Sequence, residues 1–217
     1  MSSSATRSRA RPTTPKRRPR AVVRRRRRLA LAALLLLAAA AAIAVAAGVG
    51  PLGDAVREIT LPLKHEDIIR QQARAKGLDP SLIAGVIYEE SRFRDQTSHA
   101  GARGLMQITP GTARFIARDS GGSAFVEGDL ATPQINIAYG SYYLRYLLRR
   151  YDGNETLAVA AYNAGETNVS SWVRRAGGPG EFDSSRDIPF KETRDYVRDV
   201  LQRRSEYRER YARELGL

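Results

Sequence analysis

Cysteine is absent from all 217 residues, which excludes disulfides, thiolate zinc sites and cysteine nucleophiles. That absence is silent on compartment, because an exported domain of this size needs no disulfides. Histidine occurs only twice. His65 with Glu66 lacks the second histidine of a zinc-protease helix and His99 stands alone, so no metal site is supported and no cofactor is expected. The glycine pairs Gly121-Gly122 and Gly177-Gly178 lack the strand before and the lysine after that a phosphate loop needs. No repeat of fixed period appears, which argues against a helical solenoid. Acidic residues are missing from positions 1–28, where twelve of the 36 Lys and Arg residues lie. The net charge of +13 is therefore almost wholly a property of that tail. The rest of the chain is within one charge of neutral, which removes the main support for a nucleic-acid groove.

A chain of this length allows one globular domain plus appendages. Residues 1–23 are rich in Ser, Thr, Pro and Arg and cannot bury a core, so a disordered basic tail, cytoplasmic, is expected over 1–28. Arg24 to Arg28 form an unbroken block, followed from Leu29 to Gly50 by 22 residues without a charge. At about 1.5 Å per residue that run is long enough to cross a hydrocarbon layer of roughly 30 Å. The arginines before it predict a single-pass transmembrane anchor over 29–50, with the C-terminal domain outside the cytoplasm. A signal peptide cleaved near the small residues Ala44 to Gly50 is the competing reading, and it would make the protein secreted. A short link over 51–60 then leads to a domain over 61–217.

That domain reads as all-α. His65 to Lys76 is amphipathic through Ile68, Ile69 and Ala73 and stops at Gly77. Asp79 followed by Pro80 starts a helix to Ser91, and Thr109-Pro110 and Thr132-Pro133 start helices over about 110–118 and 133–150. Two shorter helices flank Gly165, and a long one runs over roughly 191–214 with Tyr196, Val197, Val200 and Leu201 inward.

Within the second of these helices one residue is out of place. Ile83, Val86 and Ile87 define an apolar face, and at about 100° per residue Glu90 returns to within roughly 20° of Ile83. Glu89 falls further round, towards water. A carboxyl at the rim of a core resists ionisation, which suits a general acid near neutral pH. A structural glutamate paired with arginine or backbone donors is the alternative. The loop that follows, 92–104, is long and glycine-broken, as functional loops often are. After it, Leu105, Met106 and Ile108 enclose Gln107, which serves either as a ligand contact or as a backbone partner.

Taken in order, Glu90-Ser91-Arg92-Phe93, Ser98, Gly101-Ala102, Gly104-Leu105-Met106-Gln107 and Pro110-Gly111-Thr112-Ala113 resemble the lytic transglycosylases of the soluble-transglycosylase (SLT) type, in the lysozyme superfamily. Asn136-Ile137, Ala161-Tyr162-Asn163-Ala164-Gly165 and Glu192-Thr193-Arg194 before Tyr196-Val197 extend the resemblance over about 61–200. It implies a lysozyme-like (goose-type) helical domain whose cleft holds alternating N-acetylglucosamine and N-acetylmuramic acid in peptidoglycan strands. It implies Glu90 as catalytic acid and then base, Ser98, Gln107, Tyr162 and Asn163 as substrate-binding residues, and Glu192 as a buried support of the site. Arg94-Asp95 stands where Asn-Pro is common in the family, one residue is missing before Ser98, and His99 replaces a frequent Pro; these departures concern subsite contacts in the loop.

An ordinary glycosidase needs two carboxyls, and only one faces this site. The implied reaction resolves the shortage: Glu90 protonates the glycosidic oxygen, the 2-acetamido group stabilises the anomeric carbon, and the sugar's own 6-hydroxyl closes a 1,6-anhydro ring. Asp95 could instead provide a second carboxylate for a muramidase that uses water, or simply cap a turn. A non-catalytic glycan-binding envelope module is a third reading. Tyr162 reads either as core filler or, at a helix end, as an exposed hydroxyl, and the lone Trp172 reads as packing. The arginines of the tail leave room for a protein partner, and the sequence gives no sign of which.

Overall fold

The computed structural model describes residues 20–46, 50–121 and 126–217; most of the tail expected over 1–28 lies outside them. The chain divides into two units, 1–56 and 57–217. In the first, α1 (Arg20–Ala46) begins among the arginines and continues through the apolar run. Its leucines are exposed on all sides, Leu36 by 72%. Among the described residues no helix is long and apolar enough to cross a membrane. The charge-free part of α1, 29–46, measures about 27 Å at 1.5 Å per residue, short of a layer of about 30 Å. Residues 47–49 of the span expected over 29–50 lie outside the described residues. Where a link was expected, α2 (Gly50–Thr60) is helical; Pro51 stands in its first turn, where a missing N–H breaks no intrahelical bond.

The second unit is helical, as expected, and is built around α4. After α3 (Glu66–Lys76), ended by Gly77 at φ 62°, Asp79 caps α4 (Pro80–Ser91) by accepting from Ser81 N at 2.9 Å. Every residue from Pro80 to Tyr88 is buried, so α4 is enclosed on all sides and not merely along the face of Ile83, Val86 and Ile87. α5 (Pro110–Asp119) starts at Thr109, whose hydroxyl accepts from Thr112 N at 3.1 Å. A 3-10 turn (Glu127–Ala131) precedes α6 (Pro133–Arg150). α7 (Glu155–Ala164) and α8 (Glu166–Ala176) meet at Gly165, and α9 (Ser184–Asp187) leads to α10 (Lys191–Arg210). The last helix was expected to reach 214; it breaks at Tyr211 and resumes as α11 (Ala212–Leu215).

α10 packs along α4 and α7, while α6 packs against α3 and α7. Gly85 lets the two central helices touch, since a Cβ there would stand 3.0 Å from Val200 O and 3.1 Å from Arg204 N. Arg204 clasps the start of α4 through Asp79 at 3.1 Å and the start of α7 through Glu155 at 2.7 Å. The result is a rigid seat for whatever the C-terminal end of α4 carries. Trp172 is 3% exposed and meets Phe190 edge-on at 5.5 Å, the packing role expected of it.

Candidate active site

The end of α4 is shaped by a reversal of the chain. Arg92 and Phe93 both take left-handed backbone angles, φ 51° and 58°, costly for residues with a side chain. Phe93 is 2% exposed and lies 6.0 Å from the Tyr207 ring, so burial holds the turn in place. Ser91 donates from its hydroxyl to Ile87 O at 3.1 Å and to Leu105 O at 2.8 Å, tying α4 to the far end of the loop. There Arg103 and Ile108 exchange backbone hydrogen bonds at 3.0 Å. Fully buried Asn136 of α6 fastens the same strip: it accepts from Met106 N at 2.8 Å and donates to Arg103 O at 2.8 Å and Leu130 O at 2.9 Å. Gly104 is required beside it, because a Cβ would stand 2.2 Å from the Asn136 amide nitrogen.

Glu90 is partly buried at this corner. Burial pushes its carboxyl up to about 7; the hydrogen bond from Tyr196 acts in the opposite direction, and the charge of Glu89 adds to the rise. Tyr196, one of the residues expected to face inward from α10, donates from its hydroxyl to Glu90 Oε1 at 2.6 Å. Glu89 is not turned simply to water: Arg203 Nε lies 3.2 Å from its Oε1, with 20% of the Glu89 side chain exposed. Burial raises its pKa and the Arg203 contact opposes the rise. The two adjacent carboxyls thus differ in kind, one held by a cation and the other resting against a phenol.

Tyr162 stands beside Glu90, but not with a free hydroxyl. It donates to Met106 O at 2.9 Å, and burial first, then the charge of Glu90, lifts its pKa well above the ordinary tyrosine value. Gln107, at φ 45°, is the backbone partner that one reading anticipated: its Nε2 donates to Gly104 O at 2.8 Å and to Gln96 O at 3.1 Å. Its Oε1 accepts no hydrogen bond among the described residues. Ser98 Oγ accepts from Ala102 N at 3.1 Å, closing the loop's turn. Asn163 is exposed, and its side-chain oxygen accepts from Thr193 Oγ1 at 2.8 Å.

Glu192 departs from expectation. It is exposed in the first turn of α10, so it is not a buried support; Thr193 and Tyr196, from the same helix, make the contacts to Asn163 and Glu90. Asp95 is exposed in the loop. Among the described residues no group of three His, Cys, Asp or Glu side chains is placed to hold a metal. The arrangement presents one protonatable carboxyl at neutral pH, backed by two tyrosines and beside a loop with a free amide oxygen.

Residues 67–184 match the family described as Transglycosylase SLT domain. The chain is 36% identical over 168 residues to the soluble lytic murein transglycosylase of Salmonella typhimurium, covering 73% of this chain and 25% of that protein. The soluble lytic murein transglycosylase of Escherichia coli K12 is 34% identical over 164 residues, with the same two coverages. Among solved structures, the 70 kDa soluble lytic transglycosylase of Escherichia coli superposes with a TM-score of 0.66 at 32% identity, over 73% of this chain and 26% of that one. An inactive mutant of the lytic transglycosylase Slt from Pseudomonas aeruginosa gives 0.65 at 33% identity, over 72% of this chain and 26% of that one. The chain thus spans about a quarter of the length of these relatives. With this fold and these matches, the chain belongs to the Transglycosylase SLT domain family.

Proposed function

We propose that the protein is a peptidoglycan lytic transglycosylase that cleaves the MurNAc-β-1,4-GlcNAc bond and leaves 1,6-anhydroMurNAc ends. The observation that carries this reading is Glu90: a carboxyl raised to about 7, contacted by a phenol and not by a cation. Protonated Glu90 donates to the glycosidic oxygen as that bond breaks, and the 2-acetamido carbonyl shares the positive charge at the anomeric carbon. The carboxylate left behind takes the proton of the same sugar's 6-hydroxyl as the new C1–O6 bond forms. No water enters and the acid is restored. Glu89, the adjacent carboxyl, is tied to Arg203 and is unsuited to attack or to activate water. The intramolecular hydroxyl has a high effective molarity, which disfavours hydrolysis. The matched relatives are named for this activity.

In this reading residues 61–217 form the catalytic domain. Ser98, Gln107, Tyr162 and Asn163 line the sugar site, Gln107 through its free Oε1 and Tyr162 by holding Met106 and by bordering Glu90. Residues 29–50 anchor the chain in the cytoplasmic membrane, with the basic residues 1–28 inside and the catalytic domain outside. A helix apolar and exposed on every side, as α1 is from Leu29 to Ile43, is suited to lipid, and the charge-free sequence continues to Gly50.

The test is digestion of purified sacculi by the full chain in detergent, parent beside Glu90→Gln, with the released fragments weighed. Fragments one water lighter than reducing muropeptides are expected from the parent, and a loss of at least about 100-fold from the variant. Reducing ends would make the protein a hydrolase, and a fully active variant would remove Glu90 from the chemistry.

A further inference from the structure

Away from Glu90, α6 carries a second constellation. Tyr142, Arg145, Tyr146 and Arg149 recur at i, i+3, i+4 and i+7 and so share one helix face. That face borders a concavity closed by the end of α3, including Lys76, and by Asp119 at the end of α5. Three of its lining side chains are cations. Its acid, Asp119, accepts from the Tyr142 hydroxyl at 2.8 Å, and Lys76 is hydrogen-bonded to the neutral amide of Gln72. Among the described residues Lys76, Arg145 and Arg149 make no ion pair. Cations without a carboxylate partner, Lys76 and Arg145 half-buried and Arg149 exposed at the rim, two of them planar guanidinium groups, form the arrangement that recognises a carboxylate or phosphate. The local excess is not an echo of the overall charge, because the chain after residue 28 is close to neutral.

Its position gives it a meaning. The Tyr146 ring lies 6.1 Å from that of Tyr143 and nearly parallel to it, and Tyr143 lies 5.5 Å from Tyr162. Phe115 meets Tyr146 edge-on at 4.9 Å. Tyr162 in turn is close enough to Glu90 to feel its charge. A strip of partly exposed rings therefore runs without a break from the reactive carboxyl to the cationic concavity. Such rings offer flat amphipathic area to the apolar faces of sugar rings, and the cations wait at the far end.

We propose that this concavity is a subsite for an acidic peptide stem, taking a stem carboxylate while the glycan lies along Tyr162, Tyr143 and Tyr146 towards Glu90. The proposal rests on the reading of the protein as a peptidoglycan transglycosylase. It makes recognition two-part: the rings hold sugar, and Arg145, Arg149 and Lys76 require a stem.

The test uses the full chain in detergent with Glu90→Gln, so that ligand is bound and not consumed. Its probes are glycan oligomers with intact stems, the same oligomers stripped by an amidase, and inorganic phosphate, all at one ionic strength. Stemmed oligomers are expected to bind about tenfold more tightly than bare ones. Arg145→Gln with Arg149→Gln should collapse that ratio while the helical circular dichroism is kept. Arg149→Glu alone, at an exposed position, should lower it as well if the double variant folds poorly. An unchanged ratio in both variants overturns the proposal. So does arginine-dependent phosphate binding without any advantage for stems, which would mark an anion site of another kind. Turnover by the parent is read separately on sacculi: absence of anhydro ends defeats the reaction proposed above, whereas the affinity ratio judges the stem subsite by itself.

Discussion

Glu90 is raised to about 7 by burial in spite of a hydrogen bond from Tyr196 that favours its charged form, and both facts have measurable consequences. A general acid must be protonated, so activity falls as pH rises through its pKa. Tyr196→Phe removes the bond that lowers that pKa while keeping the ring. The basic limb of the kcat/KM profile should therefore move to higher pH; a shift downwards would refute the assigned contact. Stability follows with the opposite benefit. Between the ordinary value of 4.5 and about 7 the folded chain binds a proton that the unfolded chain has released, so stability declines as pH rises through that window and the cost is complete above it. Glu90→Gln removes the cost, by at most about 3 kcal/mol since the side chain is partly exposed. Its Tm should exceed the parent's at pH 8 and equal it at pH 4. The inward-facing carboxyl was legible from its i+7 spacing to Ile83. Its partner was not, because Tyr196 lies 106 residues away and, on its own helix, has the spacing of any core-facing residue.

At the level of elements the clearest signals were local ones. Thr132-Pro133 marked the start of α6 although Thr132 makes no side-chain cap bond, because the Pro φ suits the first turn whether or not the cap forms. The helix over 50–60 escaped notice because Pro and Gly at its start read as a linker. Glu192 was misplaced for a different reason: burial in a first turn depends on what packs against it, which no single sequence reveals. The enclosure of α4 depends likewise on α10, and Gly85 is where that contact can be tested. In an open helix Gly→Ala gains about 1 kcal/mol of propensity. Here the added methyl meets backbone atoms of α10 at 3.0 and 3.1 Å, which cannot rotate away, and overpacking of this kind costs about 1–3 kcal/mol. The second effect should win. Gly85→Ala is expected to lower Tm and, by displacing α10 and with it Tyr196, to reduce kcat more than it raises KM; a more stable variant would show that the two helices can part freely.

On the scale of the whole chain, charge and apolarity are segregated: a basic tail, an apolar helix and a nearly neutral domain. Two forces could then hold the protein at a membrane, and salt separates them. Attraction of the tail to anionic lipid, about 1 kcal/mol per basic residue near the surface, is screened when the Debye length falls to about 3 Å at 1 M salt. Insertion of apolar side chains is not screened, since it rests on the removal of hydrocarbon from water. Seven large apolar side chains of α1, from Leu29 to Ile43, are at least 60% exposed, and leaving such a surface in water is costly at about 25 cal/mol per Å². With liposomes of neutral lipid and 1 M NaCl, the full chain should still co-float after reconstitution. Replacing Leu34, Leu35 and Leu36 by Gln should release it, with the helical signal of the 57–217 unit unchanged. Flotation that needs anionic lipid and vanishes in salt would overturn the anchor proposed over 29–50, and the arginines would then be the means of attachment.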